Sequence, residues 1–329
     1  MSGPIIHGGG ITEAARIYGG RPGDWLDLST GINPNPVTLP DIPIAAWHRL
    51  PDQHLVMAAR EAARGFYRSG AALPLAVPGT QAYIQILPRL LPAGRRVAIL
   101  SPTYGEYAHS LSAAGFDVDE ITDLSMLSTD HGGLVIANPN NPDGRVLAPE
   151  SLMLLADRMA GQGGLLLVDE AFGDSRPELS VAARAHDHPG LIVSRSFGKF
   201  FGLAGLRLGF VIAPAAVLET IESAMGPWPV SGPALHLASR ILPADRAPIT
   251  RALRERSTAL RTVLEGAGLD IAGGTDLFCL VRHADAAAIF DRLARAQILV
   301  RKFAYAPDWL RFGLAPDEAG DVRLSGALA

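Results

Sequence analysis

The chain has 329 residues, 48% of them hydrophobic and 19% charged, which is enough apolar material for a substantial interior and, at roughly 100–200 residues per domain, for two domains. A net charge of −4 with no run of Lys or Arg leaves no electrostatic footprint for nucleic acid or an anionic membrane. The single cysteine, Cys279, excludes an intramolecular disulfide framework and a cysteine-based metal cluster.

Taken in chain order, the N-terminus "MSGPIIHGGG" has no basic region followed by an apolar one, and no stretch of about 18 apolar residues follows anywhere, so a cytoplasmic location is expected. The first forty or so residues, with "STGINPNP" and "LPDIP", read as an extended arm with turns. The apolar runs "RVAIL" (96–100), "GLVIANP" (133–139), "GLLLVDEA" (164–171), "LIVSRS" (191–196) and "GFVIA" (209–213) read as strands. Between them, 80–91, 104–114 and 149–160 have helical character, the last opening on Pro149 and Glu150. Continuous apolar strands alternating with helices predict a mostly parallel α/β sheet covered on both faces. After residue 225 "MGPWPVSGP" interrupts the pattern, and a long helical stretch then leads to "LFCLVRH" and "ILVRKF". The expected division is 1–45 as arm and part of a small domain, 46–225 as a large domain, and 226–329 as a small α+β domain.

Only two of the 29 basic residues are lysine, Lys199 and Lys302, and the first lies in the glycine-rich "SRSFGKFFGLAGLRLGF" (194–210). A lysine among so many arginines suggests work that a guanidinium cannot do. "GLLLVDEAF" resembles the acidic strand end of a P-loop ATPase, but that reading requires G-x-x-x-x-G-K-[ST]. Here Val193 stands where the first Gly belongs and Phe200 where Ser or Thr belongs. Taken singly, Asp169 is a strand terminator, "PGTQA" (78–82) an ordinary helix start, Tyr104 in "SPTYGEY" (101–107) a packing residue, and "NPNNPDG" (138–144) a turn. "HDH" (186–188) precedes Pro189-Gly190 with no third ligand nearby, so no metal site is expected, and Cys279 reads as inert core.

In register, these elements resemble the fold-type I pyridoxal-phosphate enzymes, the aspartate aminotransferase superfamily with its class I/II fold. The resemblance implies an α/β/α sandwich with a mostly parallel sheet plus a smaller α+β domain, pyridoxal 5'-phosphate as cofactor, and a homodimer. It also implies the roles of individual residues. Lys199 would be the primary amine that can lose its proton and condense with the cofactor aldehyde. Asp169 would hold the pyridine nitrogen protonated, so that the ring acts as an electron sink. Tyr104 would stack on the ring and Asn141 would donate to its hydroxyl. Gly79, Thr80, Gln81, Ser196 and Arg207 would hold the cofactor phosphate. Three positions depart from the family pattern: Phe172 replaces a frequent Tyr, Gly198 a frequent Ser or Thr, and Leu50 a Tyr that in relatives reaches the phosphate of the partner subunit.

The arm "HGGGITEAARIYG" with "LDLSTGINPNP" further resembles the threonine-phosphate decarboxylase family, close to the histidinol-phosphate aminotransferases, which lack the His-Gly-Gly arm. That resemblance implies decarboxylation of O-phospho-L-threonine to the aminopropanol phosphate linker of cobalamin, with a histidinol-phosphate-type aminotransferase as the alternative. A non-catalytic binding protein would have no use for the full set of Lys199, Asp169 and Arg207. By the same resemblance His7, Gly8, Asn33 and Asn141 touch substrate, Arg311 takes its α-carboxylate, and Arg301 takes its phosphate. The loop between these arginines is shorter than in that family's pattern, so an altered spacing is expected.

Overall fold

The structure is a computed structural model in which residues 7–329 are described. The arm is not extended throughout: Ile11–Tyr18 forms helix α1, because Ala14 and Ala15 lie on the face that packs with Trp25 and Leu299. The Gly- and Pro-rich composition that predicted an extended arm lies on either side of this helix. Strand β1 (Leu26–Leu28), helix α2 (Ile44–His48) and helix α3 (Gln53–Tyr67) follow. Helix α3 starts where the Asp52 carboxylate accepts from the Leu55 amide at 3.0 Å, and it buries Ala59, Ala63 and Phe66 at helical spacing.

The central sheet is built from β2 (Leu75–Val77), β3 (Arg96–Leu100), β4 (Val118–Ile121), β5 (His131–Ala137), β6 (Leu165–Asp169), β7 (Leu191–Ser196) and β8 (Gly209–Ile212). Its order is β2-β8-β7-β6-β5-β3-β4, and β8 alone runs against its neighbours. Alternate residues feed two cores. Leu134, Leu166, Val168, Leu191 and Val193 face one side, and Val135, Leu167 and Ile192 the other. Helices α4 (Thr80–Ile86), α5 (Glu106–Ala113), α6 (Pro149–Gly161), α7 (Phe197–Phe200) and α8 (Ala215–Met225) connect these strands or follow them. The fold is the expected α/β class with a mostly parallel sheet buried on both faces.

Helix α9 (Gly232–Ile241) lies against α3, and α10 (Ala247–Gly266) leads to a second sheet. That sheet contains β9 (Ile271–Thr275), β10 (Phe278–Arg282), β11 (Ile298–Phe303) and β12 (Ala306–Gly313), with α11 (Ala286–Arg295) before β11 and α12 (Glu318–Leu328) closing the chain. Its order, β1-β11-β12-β10-β9, makes the N-terminal β1 an edge strand parallel to β11. Among the described residues no helix is long and apolar enough to cross a membrane.

Candidate active site

The site residues gather at the carboxyl ends of β5, β6 and β7, where open parallel sheets present their loops to ligands. Register fixes the arrangement: Ala137, Asp169 and Ser194 lie side by side across three strands. Asp169 is buried, and its carboxylate accepts from the Tyr107 hydroxyl at 2.9 Å, the Ala171 amide at 3.0 Å and the Ser194 hydroxyl at 3.3 Å. Burial pushes its carboxyl above the usual range, while these hydrogen bonds and Lys199 pull the other way. A buried carboxylate so held suits a cationic ring nitrogen, which would restore the charge balance that burial upsets.

One strand over, Ser194 and Ser196 point to the site and Arg195 to the opposite face. Arg195 is 2% exposed, pairs with Glu170 and Asp174, and stacks over Tyr67 at 4.7 Å. Those two carboxylates hold the guanidinium firmly charged despite burial.

Lys199 stands in the single-turn helix α7. The arm braces this turn: the Asn33 amide donates to the Lys199 carbonyl at 2.9 Å, and the Asn33 side chain donates to the Phe200 carbonyl at 2.9 Å. Asn33 also accepts from the Asn35 amide at 3.0 Å, so its side chain serves the arm rather than facing outward. The Lys199 ammonium lies 5.7 Å from the Phe172 ring centroid. Burial, first, and then the Arg311 guanidinium bring its pKa down to about 8, with Asp169 opposing. Gly198, one residue earlier, packs on the following turn. A Cβ there would lie 2.6 Å from the Ala204 Cα, so the Ser or Thr of the family pattern has no room.

Arg207 ends that turn in the left-handed region (φ 54, ψ 57), a costly conformation for a side-chain-bearing residue and one that concentrates at functional positions. Its guanidinium reaches the start of α4: a Cβ on Gly79 would lie 2.9 Å from its Nη2. The Gly79 amide is itself taken by the Val77 carbonyl at 2.7 Å. Gly79 therefore contributes shape, while the amides of Thr80 and Gln81, first in the helix, have no intrahelical acceptor. These two amides, Ser196 and Arg207 form a donor set that fits a phosphate.

Across from this cradle, Arg301 on β11 and Arg311 on β12 are direct cross-strand partners. Arg311 is buried and donates to the Ser29 carbonyl at 2.9 Å and to the Asn141 side-chain oxygen. With that oxygen engaged, the Asn141 amide nitrogen is the end left to donate. Nε of both arginines is buried without a partner, and no carboxylate among the described residues pairs with either. Burial, and then Arg301, lower the Arg311 pKa to about 9. A shift in the β11–β12 register between Lys302 and Phe303 thus sets the two side by side instead of separating them.

The arm reaches the same place. A Cβ on Gly8 would lie 2.4 Å from the Ser29 carbonyl oxygen, and the Gly9 amide donates to Ser29 Oγ at 2.7 Å. His7 Nε2 meets Glu106 Oε1 at 2.7 Å, and its ring lies 5.8 Å from Tyr104. Gln81 donates to the other Glu106 oxygen at 2.7 Å and accepts from the Tyr104 hydroxyl at 3.0 Å. Burial and then Glu106 push Tyr104 up to about 12.

Sequence reasoning did not single out Tyr107, Ser194, Arg195 or Glu106. Tyr107 lies in α5, three residues after Tyr104, which precedes the helix, and like the others it is brought in by register and packing. Elsewhere, Cys279 is buried with its thiol pushed up to about 11, and His188 bonds Asp157 at 3.0 Å.

The family profile for aminotransferases class I and II matches residues 25–325. A threonine-phosphate decarboxylase of Sinorhizobium sp is 60% identical over 329 residues, covering 100% of this chain and 99% of that relative. A protein of the same name from Pseudomonas aeruginosa is 46% identical, covering 98% and 97%. The crystal structure of the histidinol-phosphate aminotransferase from Clostridium acetobutylicum superposes with a TM-score of 0.78 at 20% identity, covering 92% of this chain and 98% of that one. A profile match running from β1 to α12, over a site of this composition, places the chain in the aminotransferase class I and II family.

Proposed function

We propose that this protein is a pyridoxal-phosphate-dependent lyase that decarboxylates O-phospho-L-threonine to (R)-1-amino-2-propanol phosphate, the linker unit of cobalamin, in the cytoplasm and as a homodimer. The two full-length relatives carry the name of that activity. The observation that carries the reading is the pair of guanidinium groups, each with a buried unpartnered Nε and neither paired with a carboxylate among the described residues, set opposite each other across β11 and β12. Like charges opposed on one sheet face are unfavourable unless an anion joins them, and this substrate brings two anionic ends.

Pyridoxal phosphate, when bound, supplies the electron sink for breaking a bond at the substrate's α-carbon. Thr80, Gln81, Ser196 and Arg207 would hold its phosphate, Asp169 would hold its ring nitrogen and Asn141 its ring hydroxyl, and Tyr104 would cover its face. Arg311 is the cation that acts most strongly on Lys199, whereas Arg301 senses Tyr305 and Tyr104. The carboxylate is one bond from the reacting carbon and the phosphate lies farther out. Arg311 therefore binds the carboxylate, and Arg301 with His7 binds the phosphate. By fixing the carboxylate, Arg311 orients the bond that breaks, a choice between decarboxylation and proton loss worth a few kcal/mol of differential binding. Burial and Arg311 bring the Lys199 amine down to about 8 in the cofactor-free protein, which makes Nζ the group here suited to give up and regain a proton. The homodimer reading draws on the exposed apolar side chains Leu39, Ile44, Trp47, Leu50 and Trp228, Leu50 standing where the family resemblance implies a Tyr that reaches the partner subunit.

Purified holoenzyme given O-phospho-L-threonine should release carbon dioxide and the phosphorylated amino alcohol with no 2-oxo acid present. Absence of carbon dioxide together with 2-oxoglutarate-dependent turnover of histidinol phosphate would establish the aminotransferase instead. Light scattering should give twice the chain mass, falling to the chain mass in Trp47→Glu; a monomeric wild type would overturn the dimer.

A further inference from the structure

Glu106 opens helix α5, where an acidic residue ordinarily faces solvent and complements the helix dipole. Here its side chain is only 12% exposed, and each oxygen meets a different element. Oε1 accepts from the His7 ring, 99 positions away in sequence, and Oε2 from the Gln81 side-chain amide, which in turn accepts from the Tyr104 hydroxyl. One carboxylate thus joins the arm, the start of α4 and the aromatic of the site. A bare carboxylate beside an anion pocket would repel a phosphate, so its pairing matters to what the pocket can bind. With Nε2 donating to Glu106, Nδ1 is the ring nitrogen left for a ligand, and it donates to a phosphate oxygen when the ring carries both protons. His7 is itself 44% exposed, and a side chain so placed holds one orientation only if something fixes it. The Gly9–Ser29 bond fastens the arm's backbone but not this ring.

We propose that Glu106 is a positioning residue for substrate recognition: its carboxylate clamps the N-terminal arm over the site through His7, presenting the imidazole to the substrate's phosphate. The proposal rests on the reading that the site takes a phosphorylated amino acid. It predicts that Glu106 acts on the phosphate end of the substrate and acts through His7, so its removal weakens binding without slowing the chemistry.

The test is a double-mutant cycle on the holoenzyme. Glu106→Gln should raise KM for O-phospho-L-threonine about tenfold with kcat changed less than threefold, His7→Ala should do the same, and the double variant should be no worse than either single one. Additive effects, an unchanged KM or a lowered KM in Glu106→Gln would overturn it, the last by showing that the carboxylate merely repels the phosphate. Hydrogen exchange across residues 8–18 should quicken in both single variants, and unchanged exchange also overturns the clamp. His7→Ala, at an exposed arm position, keeps both measurements available where Glu106→Gln folds poorly. A wild type that releases no carbon dioxide from O-phospho-L-threonine defeats the functional reading, and the exchange experiment still decides the clamp.

Discussion

Replacing the cation beside Lys199 should change its titration in a predictable direction. In the cofactor-free protein, burial, Arg311 and Arg207 together outweigh Asp169 and bring the amine from 10.5 to about 8. That difference corresponds to about 3 kcal/mol against the charged form. At pH 7 about one amine in ten is then neutral, against roughly one in three thousand for an unperturbed lysine. Arg311→Met removes the largest charge contribution and should raise the midpoint; Asp169→Asn removes the opposing charge and should lower it. The chain has only two lysines, so a sample labelled with 15N at lysine gives two Nζ signals, and Lys302→Arg identifies the one from Lys199. A Lys199 midpoint above 10, or one insensitive to Arg311→Met, would refute the account. Stability follows with a definite sign. Between about 8 and 10.5 the unfolded chain keeps a proton that the folded one has lost, so this group's contribution to unfolding free energy rises with pH across that window. The unfolding free energy of wild type minus that of Lys199→Met should show the rise.

Arg195→Ala leaves Glu170 and Asp174 buried without their cation and should cost about 3–5 kcal/mol in urea unfolding, and a loss below about 1 kcal/mol would mean the network relaxes freely. Gly198→Ser drives a Cβ into the Ala204 backbone and should lose about 1–3 kcal/mol, with weaker cofactor retention on dialysis because Arg207 follows that turn. Arg311→Ala should lower kcat/KM by about 2–5 kcal/mol in steady-state assays, since it leaves the substrate carboxylate unpaired. Arg301→Gln relieves the like-charge contact, so the ligand-free protein should gain up to about 1 kcal/mol by thermal unfolding, while substrate should stabilise it less than it does the wild type.

What the sequence made legible follows from how local each signal is. β3 and β7 coincide with their apolar runs, and β5, β6 and β8 lie within a few residues of theirs, because a strand buried on both faces is written continuously in Val, Ile and Leu. β1, β2 and β4 have three or four residues each, too few to show a period, and β9, "IAGGT", hides behind two glycines. Helix α1 was masked by its neighbours' composition, although Ala14 and Ala15 held its buried face. The same division runs through the site. Lys199, Ser196 and Arg207 share one motif, whereas Ser194 and Tyr107 matter only because register and helix packing bring them to Asp169. The family resemblance implies Asn33 as a substrate contact, yet a residue 167 positions away determines where its side chain donates.

In the proposed reading the substrate's charge is matched by the second sheet, through Arg301 and Arg311. Arg301 and Arg311 are ten positions apart in sequence, a distance that by itself fixes nothing about their separation. The connection of Ala304 and Tyr305 pairs Phe303 with Ala306, and a shift of register between Phe303 and Lys302 then sets Arg301 opposite Arg311. A slip of one residue would send one of them to the opposite face, because side chains alternate along a strand. β1, the continuation of the arm, pairs with β11 on its other side, and Ser29 just beyond it accepts from Arg311. The arm that carries His7 and the hairpin that carries both arginines are therefore one piece of structure, docked on the cofactor end through Asn141. In the proposed reading Lys199 and Asp169 belong to the first sheet and the two substrate-binding arginines to the second, so altering β11 and β12 would change the charge the site accepts while register keeps Lys199 and Asp169 in place.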